Sequence, residues 1–189
     1  MTGHACPLSS LWPESLLSKA QAIRLLALDV DGVMSDGKIY FSATGDELKA
    51  FNILDGLGLK QLMAAGIVVA VITGRQSPLT EKRMRDLGIP HVMQGREDKK
   101  TALQELIGTL GIPPEATAYM GDDLPDLPAI RLSGLGITVP NAYWLVREYA
   151  NYCTQAAGGS GAVREACDLL LTAQGKLDSA LTKYLEPAP

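Results

Sequence analysis

The stretch Leu25–Gly37, "LLALDVDGVMSDG", is an apolar run that ends in two carboxylates, Asp29 and Asp31, two residues apart and followed at once by Gly32. An uninterrupted apolar run is the pattern of a strand covered on both faces, as in a parallel sheet. Side chains at i and i+2 of an extended segment point the same way, so both carboxylates can face one reaction centre. Gly32 permits the sharp exit that a bulky residue would block.

Similar runs recur at Ile67–Ile72, Pro90–Met93, Thr117–Met120 and Leu135–Val139, with a shorter one at Asn151–Thr154. Amphipathic segments lie between them. Ser77 and Pro78 open "SPLTEKRMRDL" and Gly88 closes it, while Asp98 opens "DKKTALQELIGTL" and Gly111 closes it. This alternation predicts an α/β, Rossmann-like three-layer sandwich around a mostly parallel sheet with right-handed crossovers. "KIYFSATGDELKAF", Lys38–Phe51, breaks the alternation and predicts a β-hairpin turning at Ala43–Asp46, projecting from the carboxyl end of the first strand. Gly56 and Gly58 read as a turn entering the helix "LGLKQLMAA". The whole chain, 1–189, is expected to form a single domain without a cap, with the hairpin at 38–51, a C-terminal helix and tail at 156–189, and a frayed end at "YLEPAP".

Composition narrows the function classes. Seventeen basic against 21 acidic residues give a net charge of −4 without a Lys/Arg-rich block, which argues against nucleic acid as a partner. Three cysteines, Cys6, Cys153 and Cys167, lack C-x-x-C spacing and suggest neither a disulfide framework nor a zinc site, so a cytoplasmic, reducing compartment is expected. Cys153 and Cys167 read as buried small apolar residues. His4 and His91 have no companions for a metal site or a triad. No apolar run approaches the roughly 20 residues of a membrane span, and the N-terminus lacks a basic region followed by a long apolar stretch.

Ligands of open α/β sheets bind at the carboxyl ends of the strands. There the sequence places Asp29 and Asp31 after the first run, Thr73, Gly74 and Arg75 after the second, and Gly121, Asp122 and Asp123 after "TAYM", with Asp126 one turn on. Lys99 opens the helix after the run near His91. Converging carboxylates repel by about 4 kcal/mol per close pair at an intermediate dielectric, and a hard divalent cation such as Mg²⁺ removes that penalty. One carboxylate of the D-x-D pair can then attack phosphorus while the other moves protons. Thr73 and Lys99 suit the non-reacting phosphate oxygens, Asp122 the metal, and Asp123 and Asp126 the orientation of the other ligands. Taken singly, Asp122 or Thr73 could be a helix cap and Lys99 a solvated neighbour of Lys100; their order along the chain favours chemistry.

The ordered set "DVDGV", "VITGR", "DKKTAL" and "GDDLPD" resembles the haloacid dehalogenase superfamily of phosphatases. The resemblance implies Asp29 as nucleophile, Asp31 as acid/base and backbone metal ligand, Thr73 and Lys99 as phosphate holders, and Asp122 as metal ligand, with Mg²⁺ as cofactor. From about Leu25 to Leu177 the chain is further similar to that superfamily's capless sugar-acid phosphatases of lipopolysaccharide precursor synthesis. These imply a substrate of 3-deoxy-D-manno-octulosonate 8-phosphate, with a nine-carbon sugar acid 9-phosphate as the alternative. The similarity also implies a homotetramer in which hairpins pack together and a tail can approach the neighbouring site. Its substrate region maps onto Asn52, Asp55, Gly56, Lys60, Gly74, Arg75 and Arg83, beside Asp31 and Lys99. Arginine stands in better-known members where this chain has Leu54, Lys60 and Ser160, and a lysine meets a sugar carboxylate only as a point charge.

Two other classes use similar parts. A phospho-receiver signalling domain has an acidic cluster, an acceptor Asp, a Thr and a Lys, but its acidic pair precedes the acceptor and no second Asp stands two residues beyond it. An idle binding subunit would not need every catalytic residue. The glycines of "AGGSGAVRE" read either as a flexible joint or as a means of bringing backbone N–H groups to an anion at a helix N-terminus.

Overall fold

The computed structural model describes residues 10–185, apart from the side chain of Lys183; His4, Cys6 and the last four residues lie outside that range. Strand β1, Leu25–Leu28, is fully buried. It lies between β4, Val68–Ile72, and β6, Thr117–Met120, and pairs parallel with both. The sheet runs β5-β4-β1-β6-β7-β8, where β5 is His91–Met93, β7 Leu135–Thr138 and β8 Tyr152–Cys153, and every pairing in it is parallel. The five clear runs and the doubtful sixth are thus all strands of one sheet.

The crossovers explain the layers. From β1 the chain moves one way, through α2 (Ile53–Ala64) to β4 and through α3 (Pro78–Leu87) to β5. It returns through α4 (Lys99–Leu110) to β6 and continues the other way through α5 (Leu127–Leu132) to β7. Right-handed connections place these two sets of helices on opposite faces. In keeping with this, α2 touches α3 while α4 touches α5. Helix α6, Trp144–Tyr149, leads to β8, after which α7, Ala162–Ala173, packs on α2 and on α1, Glu14–Gln21, and α8, Leu177–Leu185, follows. The direction of winding reverses between β1 and β6, which is where a doubly wound sheet opens its ligand crevice.

The hairpin stands apart as a two-stranded sheet of β2, Tyr40–Phe41, and β3, Glu47–Leu48, in antiparallel register. It is shorter than the Lys38–Phe51 span because only two residues on each side pair. Its outer side chains are apolar and exposed: Ile39, Phe41 and Leu48, with Ile53 and Leu54 close by in sequence.

Two expectations need correction. Gly56 and Gly58 form no turn; both lie inside α2, which begins at Ile53 with the Asn52 side chain accepting from Leu54 N at 2.8 Å. They are small because neighbours press on them: a Cβ at Gly56 would stand 2.5 Å from Arg83 Nη2, and one at Gly58 3.0 Å from Arg164 Cδ. Cys153 is exposed, because β8 is the edge strand and its outward side has no cover, whereas Cys167 is buried in α7 as expected.

Candidate active site

Strand pairing carries Asp29 to the centre of the crevice. Its backbone N–H still donates to Met120 O at 2.9 Å, one step beyond the end of β1. The chain then turns, with Met34 and Ser35 N–H both donating to Val30 O, and Gly32 takes φ of +90°. That glycine makes room as well as a turn: a Cβ there would lie 1.9 Å from Asp122 Oδ2. The two loops that carry Asp29 and Asp122 can therefore meet only across a residue without a side chain.

A cavity of about 430 Å³ opens at this edge and is lined by Asp29, Asp31, Thr73, Gly74, Arg75, Lys99, Asp122, Asp123 and Asp126, together with Gly37, Glu97 and Pro125. All four sequence motifs therefore reach one site. Lys99 is buried at the start of α4, its Nζ 2.8 Å from Asp29 Oδ1 and 2.8 Å from Asp126 Oδ1. Asp126 is held on every side. Its Oδ1 also accepts from Tyr119 OH at 2.8 Å, and its Oδ2 accepts from the backbone N–H groups of Asp122 and Asp123 at 3.1 and 3.2 Å. With its lone pairs so occupied, Asp126 orients Lys99 and the Asp122 loop rather than reaching a ligand itself. Asp123 caps the same turn, its carboxylate accepting from Leu124 N at 2.8 Å.

The electrostatics call for a cation. Carboxylate oxygens of Asp29, Asp122 and Asp126 lie within 4.8 Å of one another. Burial, then repulsion from Asp126, raises Asp29 to about 7 even though the Lys99 ammonium opposes it. Asp122 is likewise raised to about 7 by burial and by Asp126 and Asp29. Burial acts to lower Lys99, but Asp126 and Asp29 outweigh it and its net shift is upward. One ammonium against three carboxylates, two of them buried and Asp122 half-buried, leaves the cluster negative. In addition, buried Asp29 Oδ1 takes no well-aligned hydrogen bond, its approach to Lys99 being a charge contact only. An all-oxygen, anionic donor set that its single ammonium does not neutralise fits Mg²⁺.

Asp31 has a different environment. It lies at the cavity wall, and its Oδ1 accepts from Lys49 Nζ at 2.6 Å. Arg75, also lining the cavity, reaches Glu47 at 3.0 Å. Lys49, Glu47, Glu97 and Tyr119 are the participants that sequence reasoning missed.

Of the expected substrate region, Asp31, Gly74, Arg75 and Lys99 line the cavity, and Asn52, Asp55, Gly56, Lys60 and Arg83 do not. Asp55 is buried beneath the start of α7, where its Oδ1 accepts from Arg164 N at 2.8 Å. Arg83 donates to Asn52 O at 3.2 Å and lies over the Phe51 ring, tying α3 to the entry of α2. Lys60 lines a separate hollow between α2 and α8. The glycines of "AGGSGAVRE" are not a free joint, and the anion that meets backbone N–H at the start of α7 is the chain's own Asp55. Gly159 N donates to Val33 O at 2.9 Å, Asn141 links Gly158 N to Gly32 O, and a Cβ at Gly158 would lie 1.8 Å from Gly32 O. The loop is a strut beneath the D-x-D turn.

Known proteins resemble this chain in sequence and fold. A haloacid dehalogenase-like hydrolase family matches residues 88–165. The 3-deoxy-D-manno-octulosonate 8-phosphate phosphatase of Escherichia coli (strain K12) is 52% identical over 165 residues, 87% of this chain and 88% of that protein. The crystal structure of the phosphatase of the same name from Moraxella catarrhalis, in complex with magnesium ion, phosphate ion and a KDO molecule, matches with a TM-score of 0.89 and 47% identity, over 92% of this chain and 99% of that one. A cobalt-bound form of the Haemophilus influenzae phosphatase matches with a TM-score of 0.81 at 42% identity, over 84% and 92% of the two chains. With its four motifs gathered at one strand edge and these relatives along most of its length, the chain belongs to the haloacid dehalogenase-like hydrolases and, within them, to the 3-deoxy-D-manno-octulosonate 8-phosphate phosphatase family.

Proposed function

We propose that this chain hydrolyses 3-deoxy-D-manno-octulosonate 8-phosphate to the free sugar acid and phosphate, with Mg²⁺ as cofactor, in lipopolysaccharide precursor synthesis in the cytoplasm. The observation that carries the chemistry is the placement of Asp29, paired with Lys99, on one cavity with Thr73, Asp31 and Asp122. Free thiols at Cys153 and Cys167 fit a reducing compartment.

An Asp29 oxygen attacks phosphorus, the bond from phosphorus to the sugar oxygen breaks, and Asp31 gives its proton to the departing alkoxide. Asp31, now a carboxylate, takes a proton from the water that cleaves the aspartyl-phosphate. Thr73 and Lys99 hold the phosphoryl oxygens through both steps, and Asp126 keeps Lys99 aimed at them. Asp29, the backbone carbonyl of Asp31 and Asp122 would hold Mg²⁺, which supplies positive charge to the transferring phosphoryl group. Gly74 and Arg75 stand at the wall that meets the sugar.

The exposed apolar hairpin supports assembly as a homotetramer, with Ile39, Phe41 and Leu48 as its contact surface. Mg²⁺-dependent phosphate release, compared by kcat/KM on the eight-carbon and nine-carbon sugar acid phosphates, tests the substrate. The eight-carbon compound is expected to be preferred, and Asp29→Asn to abolish release from both. Equal or better turnover of the nine-carbon compound would overturn the substrate while leaving the chemistry in place.

A further inference from the structure

We infer that Lys49 is the positioning residue of the acid/base, its ammonium holding one oxygen of the Asp31 carboxyl group so that the other faces the leaving oxygen and the attacking water, with which it exchanges its proton. This rests on the role given to Asp31 above.

Lys49 follows β3 on the strand that leaves the hairpin, a place where lysines are normally solvated. Here its side chain is only 4% exposed, and its Nζ lies 2.6 Å from Asp31 Oδ1. Burying an ammonium costs several kcal/mol unless it is paired, and an apolar residue would tether a hairpin more cheaply. The charge is therefore placed for its partner. Lys49 does not line the cavity, so it acts through Asp31 and not on the substrate.

The geometry divides the two oxygens of Asp31. Oδ1 is occupied by Lys49, and Oδ2 has no hydrogen-bond partner among the described residues, which leaves it for the substrate oxygen. The two carboxylates of the D-x-D pair also have separate ammonium groups, Lys99 for Asp29 and Lys49 for Asp31. Drawing Asp31 toward Lys49 keeps it from adding a further negative charge to the Asp29, Asp122 and Asp126 cluster. Alternation along the hairpin exit explains how a lysine comes to be aimed inward: Glu47 and Lys49 share one face and reach Arg75 and Asp31, while Leu48 between them is exposed on the other.

The leaving group separates positioning of a proton donor from general support of the fold. An alkyl alkoxide needs a proton as it departs, whereas p-nitrophenolate does not. Lys49→Met is expected to lower kcat/KM, which reports the step that releases the leaving group, about tenfold or more further on the sugar acid phosphate than on p-nitrophenyl phosphate. Lys49→Gln gives the same readout if the Met variant fails to fold. Asp31→Asn, assayed alongside, is expected to show the same selectivity to a greater degree. Equal losses on both substrates in the Lys49 variants, or no loss, would overturn the inference when Asp31→Asn remains selective. Absence of selectivity in kcat/KM for Asp31→Asn would instead remove the general-acid role of Asp31 itself.

Discussion

The carboxyl edge of the sheet and the hairpin that leaves it are held by opposite means. At the edge, Asp29, Lys99, Asp126 and Tyr119 are all buried, and each is fixed by an element packed into the core. The hairpin has two-residue strands and exposed apolar side chains, and ion pairs from Glu47 and Lys49 join it to the site. An isolated two-stranded hairpin is marginally stable in water. Asp29 thus takes its geometry from close packing, and the free edge of the Asp31 carboxylate is set by an ion pair from the hairpin.

That contrast breaks first at Asp126. Asp126→Asn keeps the shape but removes the charge beside Lys99 and puts an N–H₂ group where only acceptors fit. Phosphate release is expected to fall about 100-fold, with weakened dependence on Mg²⁺ concentration; an effect under threefold would show that Lys99 needs no such partner. A smaller effect comes from pH. Asp29 and Asp122 sit near 7 in the metal-free fold against 3.8 for a free carboxyl, so between these values the folded state binds more protons than the unfolded one. Stability from these two groups is complete below about pH 4 and is lost as pH rises through 7. In EDTA, Tm should fall from pH 5 to pH 7.5, and saturating Mg²⁺ should flatten that fall; parallel curves with and without the metal would contradict the cluster as its site. The smallest effect belongs to the hairpin surface. Ile39→Ser with Phe41→Ser should change protomer stability by no more than about 0.5 kcal/mol, since both side chains are exposed, while light scattering reports a smaller assembly. An unchanged mass would remove the hairpin from the proposed assembly.

Much of this was legible because strand ends are where parallel sheets keep their chemistry. Asp29, Thr73, Lys99 and Asp122 each follow or face a strand end, and the sequence order of the motifs is enough to bring them together. What could not be read depends on partners far along the chain. Asp55 resembles a substrate ligand until its contact with Arg164 N, 109 residues away, makes it a cap for α7. Gly56 and Gly58 resemble a turn because glycine weakens helices, and only Arg83 and Arg164 explain their presence in α2. Tyr119 reads as an ordinary core residue in "TAYM", its hydroxyl unassigned until Asp126 meets it at 2.8 Å. Lys49 reads as a surface charge because a two-residue strand gives too little alternation to show which side faces inward.

The close contact of Gly158 with Gly32 has a consequence for the order in which the enzyme is made. β1 and its aspartates leave the ribosome early, but the strut that supports their turn is among the last segments to appear. A growing chain therefore carries its reactive carboxylates through most of synthesis without a finished cleft around them. A product cut short before the strut is expected to carry the acidic residues with nothing beneath their turn.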